Sequence, residues 1–225
     1  MVMFIFIGII DSGLDGVSCL NELINQHKYY KYILYLDYKF NPYGTKSEDE
    51  LLNRLNKAIS FLKNKGCNKI IIACNTLSIV AIKHNIKDVI TPINYFKKVI
   101  KYNFDDSSIL IATNFTIKEN IYNVNGIASS DLVSFIEGTK PTKINDYLYY
   151  INKYDKVFLG CTHFILLKKH FKDKKIYDRG KTLIDNIVTN KSTLKVTIYL
   201  TKINNNIYNH LIKNIHLQRF DIKII

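Results

Sequence analysis

The chain has 225 residues, 47% of them hydrophobic and 23% charged, with a formal net charge of +13. That length can bury a real core as one large domain or two α/β lobes of about 100 residues each, and the composition excludes a disordered chain. Its four cysteines, Cys19, Cys67, Cys74 and Cys161, have no CxxC spacing, which argues against a zinc knuckle or a disulfide framework and leaves reduced thiols as the expectation.

The first element is MVMFIFIGII, which lacks a basic start and a small-residue cleavage site and is closed by Asp11-Ser12-Gly13. It is too short to span a bilayer, so a buried strand over 4–10 is predicted. No other stretch reaches transmembrane length, and a cytoplasmic protein without a membrane partner is expected. Further strands are predicted over 32–36, 69–73, 109–112, 156–160, 175–177 and 195–200, with 221–225 as a final candidate. Between them lie helical patterns. The segment 47–65 places Leu51, Leu52, Leu55, Ile59 and Leu62 at three- and four-residue spacing. Such alternation predicts an α/β fold of parallel sheets covered by helices.

Ligands of open parallel sheets sit beyond the carboxyl ends of the strands. The residues that follow the predicted strands are Asp11-Ser12-Gly13, Cys74-Asn75-Thr76, 113–116 with a threonine at each end, Cys161-Thr162-His163 and Asp178-Arg179-Gly180. Each group carries a polar or reactive side chain. Two of them also echo one another: KIIIACNTLSIVAIKH and KVFLGCTHFILLKKH align as apolar strand, small residue, cysteine, two polar residues and apolar-rich helix. The repeat predicts two facing lobes, each presenting one thiol. Pro92 and the polar stretch 101–108 mark a crossing between lobes, and 189–193 marks a return.

A cysteine at a strand-to-helix turn meets the positive end of a helix, which favours thiolate over thiol. The alternative is a small buried hydrophobe, since free cysteine is among the most buried residue types, but the arrangement occurs twice. Two thiols facing each other across a cleft can act as a proton-carrying pair, one removing a proton from a carbon and the other delivering one to the opposite face. That is stereoinversion. It requires no cofactor or metal, and the sequence contains no G-x-x-x-x-G-K-[ST], G-x-G-x-x-G or H-E-x-x-H.

The motifs IGIIDSG, NPYGTKS, IIACNT, ILIATNFT, LVSFIEG and LGCTH, in this order, resemble those of the glutamate racemases of the aspartate/glutamate racemase superfamily. The resemblance implies two flavodoxin-like lobes with pseudo-twofold symmetry and an active site between them, the C-terminal segment returning to the first lobe. The lobes expected are 1–93 plus 192–225 and 94–191. It further implies Cys74 as the proton carrier toward D-glutamate and Cys161 as that toward L-glutamate, with Asp11 beside the first thiol and His163 and Glu137 beside the second. Ser12, Asn75, Thr76 and Thr162 match ligands of the amino-acid end, and Tyr43 and Gly44 match the loop whose backbone binds the distal carboxylate. Of Thr113 and Thr116, which match a T-x-x-T pair, Thr116 is the expected ligand. The implied substrate is L- and D-glutamate, the implied assembly a homodimer, and the implied role the supply of D-glutamate for peptidoglycan.

Read without the resemblance, Asp11 is also a helix N-cap, Glu137 before Gly138 also a helix-end surface acid, His163 also a core histidine, and Pro42-Tyr43-Gly44 also a plain turn. Asp15, Leu77, Phe164, Ile165 and Arg179 depart from the family pattern, and the chain is shorter than is typical between the two cysteines. Another amino-acid racemase of the superfamily, chiefly an aspartate racemase, is the nearest rival, and His163 speaks against the latter, because the motif after the second cysteine there usually carries Glu. A basic, non-catalytic nucleic-acid binder is the rival from another class. The charge is nearly all lysine, with only Arg54, Arg179 and Arg219 to supply the guanidinium fork favoured for phosphate and base recognition. It accompanies abundant Ile, Asn and Tyr, all with AT-rich codons, so nucleic acid is not the expected partner.

Overall fold

The computed structural model describes residues 6–13, 16–26, 30–138, 140–142, 144–178, 194–217 and 219–225. Asp15, Arg179, Gly180, the return at 189–193 and the lobe border at 191/192 lie outside the described residues, as do the first two residues of the strand expected over 4–10.

In chain order the elements are β1 (Phe6–Asp11), α1 (Gly16–Gln26), β2 (Lys31–Leu36), a 3-10 turn at Tyr43–Thr45, α2 (Glu48–Asn64), β3 (Lys69–Ile72), α3 (Asn75–Lys83), β4 (Val89–Ile90) and α4 (Ile93–Asn103). There follow β5 (Ser108–Ala112), α5 (Asn114–Glu119), β6 (Gly126–Ala128), α6 (Ser130–Ile136), α7 (Ile144–Ile151), β7 (Lys156–Leu159), a 3-10 helix at Thr162–His170, β8 (Lys175–Tyr177), β9 (Lys195–Leu200), α8 (Asn205–Asn214) and β10 (Asp221–Ile224).

The helix expected over 47–65 is α2, and its two outermost residues are caps. Ser47 and Glu50 form a reciprocal capping box, and Glu48, Asp49 and Glu50 place negative charge at the positive helix end. Its buried stripe is Leu51, Leu55, Ala58, Ile59 and Leu62. Leu52, expected in the stripe, is only partly buried. The sequence reading missed β4 and β6. Two or three half-buried residues are too few to show a period.

All strand pairings among the described residues are parallel. The strands form a six-stranded sheet ordered β10-β9-β2-β1-β3-β4 and a four-stranded sheet ordered β6-β5-β7-β8. The four strands β2-β1-β3-β4 and the four of the second sheet share one winding, with β1 equivalent to β5 and β3 to β7. Cys74 and Cys161 therefore follow equivalent strands, which is the structural form of the sequence echo. The echo breaks after the cysteines, because α3 is α-helical whereas the segment after Cys161 is a 3-10 helix. Phe164 and Leu167, its buried apolar residues, stand three apart, which suits three residues per turn.

The chain passes between the sheets through α4, with Pro92 at its N-cap. Phe96 of α4 packs edge-on against Tyr122 (centroids 5.2 Å) and lies 6.4 Å from Phe158 of β7. One apolar cluster thus runs from Ile72 and Leu77 through Phe96 to Leu110, Ala112 and Phe158. The lobes share a core along one side of the cleft. Leu77 and Phe164, two of the departures, are fully buried core residues in different clusters. Among the described residues, no helix is long and apolar enough to cross a membrane.

Candidate active site

The carboxyl ends of β1, β3, β5 and β7 converge on the face between the sheets, as the parallel winding requires. Ser12, Cys74, Asn75, Thr76, Thr113, Cys161 and His163 from these ends line one cavity, joined by Asn41, Tyr43 and Gly44 from the loop after β2 and by Val133 of α6. The enclosed space is about 10 Å³, enough for roughly one water. Any ligand the size of an amino acid requires the two sides to part. Two larger surface hollows, one along α2 and one beside Tyr147 and Tyr150, contain neither thiol.

Both thiols are buried and each precedes a helix. The turn at Cys74 is fixed by Ser78, whose hydroxyl donates to the carbonyls of Cys74 (2.8 Å) and Ile72 (3.1 Å). Asp11 ends β1, is fully buried, and accepts from the Gly13 N–H at 3.4 Å. On the other side, His163 Nδ1 lies 3.9 Å from Cys161 Sγ and 3.4 Å from Thr162 Oγ1, while its Nε2 donates to Glu137 Oε1 at 2.6 Å. The Glu137 side chain is 5% exposed, so it is not a surface acid although it occupies the C-cap of α6.

Burial alone would push the His163 imidazole down, but hydrogen bonds to Cys161 and Glu137, with the charges on both, outweigh it and hold the group well above its ordinary value. A raised folded value means that the stabilisation is fully present below about pH 6.5 and is lost as the pH rises through the folded value. Wild-type stability is therefore expected to fall on the alkaline side more steeply than that of Glu137→Gln. Urea denaturation from about pH 6 to about pH 10, starting near the ordinary imidazole value, measures it, and parallel curves for the two proteins would contradict the pairing.

The donors expected for a ligand are partly engaged across the cleft. Tyr122 donates to Asn75 Oδ1 (2.6 Å), Asn75 Nδ2 donates to Thr116 Oγ1 (3.2 Å), and the Thr76 and Thr113 hydroxyls lie 3.0 Å apart. Thr113, rather than Thr116, lines the cavity; Thr116 stands behind it, its hydroxyl 3.1 Å from that of Thr113. Asp11, Glu137 and Thr162 likewise adjoin the lining rather than form it.

The NPYGTKS loop forms a 3-10 turn whose Tyr43 and Gly44 are buried, instead of a plain turn. Tyr43 donates its hydroxyl to Asp37 Oδ2 at 2.6 Å, and burial together with Asp37 holds that phenol well above its ordinary value, so it stays protonated. Asp37, fully buried, also accepts from Arg54 Nε (2.7 Å) and Nη2 (2.5 Å) and from Thr201 Oγ1 (2.9 Å). The phenol is thus an anchor, and the backbone of Tyr43 and Gly44 is what the loop offers to the cavity. Gly44 is required by close approach: a Cβ there would overlap Thr113 and come within 2.7 Å of Ser130 Oγ.

Sequence reasoning missed Asn41, Asp37 and Val133. Asp37 directly follows the strand expected over 32–36 and would have been found by the strand-end rule. Asn41 lies inside the quoted NPYGTKS motif. Val133 carries no local signal. Among the described residues, no group of three or more His, Cys, Asp or Glu side chains is arranged to hold a metal ion.

No family model matches the chain. Over 216 residues it is 34% identical to glutamate racemase from Campylobacter concisus, covering 84% of this chain and 80% of that protein. The crystal structure of glutamate racemase from Campylobacter jejuni aligns with a TM-score of 0.77 at 25% identity, covering 96% of this chain and all of that one. That of glutamate racemase from Francisella tularensis in complex with D-glutamate aligns with a TM-score of 0.77 at 22% identity, covering 98% and 97%.

Proposed function

Because the chain belongs to the glutamate racemase family, we propose that it interconverts L- and D-glutamate by proton transfer at the α-carbon, with Cys161 serving the L face and Cys74 the D face. The observation that carries this reading is the placement of the two thiols after equivalent strands, both lining one cavity. From L-glutamate, the Cys161 thiolate takes the α-proton, and the Cys74 thiol delivers its own to the opposite face. The two sulfurs exchange protonation states in each turnover, and the reverse reaction restores them.

Each thiol needs a group that lets it change protonation state. Asp11 serves Cys74, and His163 with Glu137 serves Cys161. The α-carbon is far less acidic than any side chain present, so the carbanion requires donors fixed in advance in a cleft closed to bulk water. Ser12, Asn75, Thr76 and Thr162, together with the hydroxyl of Thr113 or Thr116, supply them at the amino-acid end. The peptide groups of Tyr43 and Gly44 take the distal carboxylate. The closed cavity supports a cycle in which the lobes part to admit substrate and close before proton transfer. We assign 1–93 plus 192–225 to the first lobe and 94–191 to the second. The reading extends to a cytoplasmic homodimer that supplies D-glutamate for peptidoglycan.

Incubation with L- or D-glutamate in deuterated water tests the assignment. Deuterium at the α-carbon and inversion are expected from both enantiomers. Absence of both, or markedly faster exchange of aspartate, would overturn it.

A further inference from the structure

We propose that Asn41 is a positioning residue that ties the Cys161–His163–Glu137 chain to the opposite lobe, so that the second thiol is fully supported only when the cleft is closed. This inference rests on the proposed racemase reading. Asn41 follows β2 of the six-stranded sheet, whereas Glu137 ends α6, the helix after β6, and His163 lies in the 3-10 helix after β7, both strands of the four-stranded sheet. Across that boundary Asn41 Nδ2 donates to Glu137 Oε1 at 2.9 Å, the same oxygen that accepts from His163 Nε2. The oxygen therefore sits between one donor from each lobe. Gly13, also from the first lobe, approaches this junction so closely that a Cβ there would overlap Glu137 and lie 2.7 Å from Asn41 Nδ2 and 2.9 Å from His163 Nε2.

Two further observations favour a role beyond packing. Asn41 Oδ1 is buried and has no hydrogen-bond partner among the described residues, a costly arrangement that an apolar residue would avoid. Asn41 also lines both the thiol cavity and an adjoining outer hollow bounded by Tyr38, Glu137 and Lys202. Parting the lobes there separates the Asn41 amide from Glu137. The Glu137 oxygen then loses the donor from the first lobe, and with it a restraint that helps aim His163 at Cys161. Closure reassembles the chain. Support for Cys161 is thereby conditional on closure through this contact, whereas Asp11, the last residue of β1, and Cys74, after the adjacent β3, are carried by neighbouring strands of one sheet.

The experiment compares wild type with Asn41→Leu in deuterated water, following deuterium incorporation and inversion from each enantiomer. From D-glutamate, Cys74 removes the α-proton and can return a deuteron to the same face, a path that does not use Cys161. Inversion is expected to fall about tenfold to a hundredfold, as for a displaced catalytic group, while exchange with retention from D-glutamate persists. From L-glutamate, exchange and inversion fall together. In a Glu137→Gln background the same substitution should change inversion by less than about twofold, because the effect is transmitted through Glu137. Equal losses of exchange from both enantiomers, unchanged inversion, or full additivity with Glu137→Gln would overturn the inference. If Asn41→Leu does not fold, Asn41→Ala carries the same comparison. A wild type that neither exchanges nor inverts glutamate would instead overturn the racemase reading itself.

Discussion

Racemisation is expected to be lost in Cys74→Ala and in Cys161→Ala separately, by about 10²- to 10⁴-fold or more, the range that a positioned proton carrier contributes. The more telling outcome is the asymmetry of what survives. With Cys161 removed, the Cys74 thiolate can still take the α-proton of D-glutamate, exchange it with solvent and return it to the face from which it came. D-glutamate should therefore acquire deuterium without inversion, and L-glutamate should not. Cys74→Ala should give the mirror result. Proton NMR of the α-position with chiral analysis of the product reads both quantities. Substantial inversion by either variant, or the same exchange pattern in both, would sink the two-thiol assignment. Both thiols are buried and neither bonds covalently to another residue, so a folding defect is a separate outcome that circular dichroism identifies.

The second large effect lies behind the loop of Tyr43 and Gly44. Arg54→Ala removes the bidentate partner of Asp37, which is fully buried, and is expected to cost about 3–5 kcal/mol, the penalty for stranding one member of a buried ion pair. That is a large share of the 5–15 kcal/mol typical of a folded domain. It corresponds to a fall in Tm of roughly 6–20 °C for a chain of this size. The pair also holds Tyr43 through Asp37 and reaches Thr201, which directly follows β9, so the loop is fixed from three sides. A folded Arg54→Lys variant should keep most of the stability yet lose the fork, because lysine is a point charge. Its KM for glutamate should then rise more than its kcat falls. A loss below about 1 kcal/mol in Arg54→Ala, within the range for exposed pairs, would contradict a buried structural pair.

The same residues show how far the primary structure can be read. The strands after which Asp11, Cys74, Thr113 and Cys161 stand were legible because fully buried parallel strands are short, continuous apolar runs. α2 was legible because its apolar spacing and its Ser47 cap agree. Short strands such as β4 have no period to read. The 3-10 helix after Cys161 contains an apolar run, FILL, that fits several helical periods equally well. The choice between Thr113 and Thr116 was not legible either, since both belong to one T-x-x-T pattern and only the packing of α5 turns one of them to the cavity.

What the sequence determined by itself is chemical identity and order along the chain: two cysteines after apolar strands, polar groups at every strand end, and the ACNT and GCTH motifs that carry the family resemblance. These are local properties, set by a few neighbouring residues and by the rule that parallel strands present their carboxyl ends together. Tertiary structure decided the contacts by which distant groups meet, including the one between Glu137 and His163, which the resemblance places beside the second thiol. Glu137 turns inward to His163, Asn41 crosses from the opposite lobe to the same oxygen, and Asp37 gathers Tyr43, Arg54 and Thr201. Those contacts join residues 26 to 164 positions apart, apart from the nearer Tyr43 and Arg54. No local pattern encodes them, because they depend on how two independently wound sheets pack across a shared core.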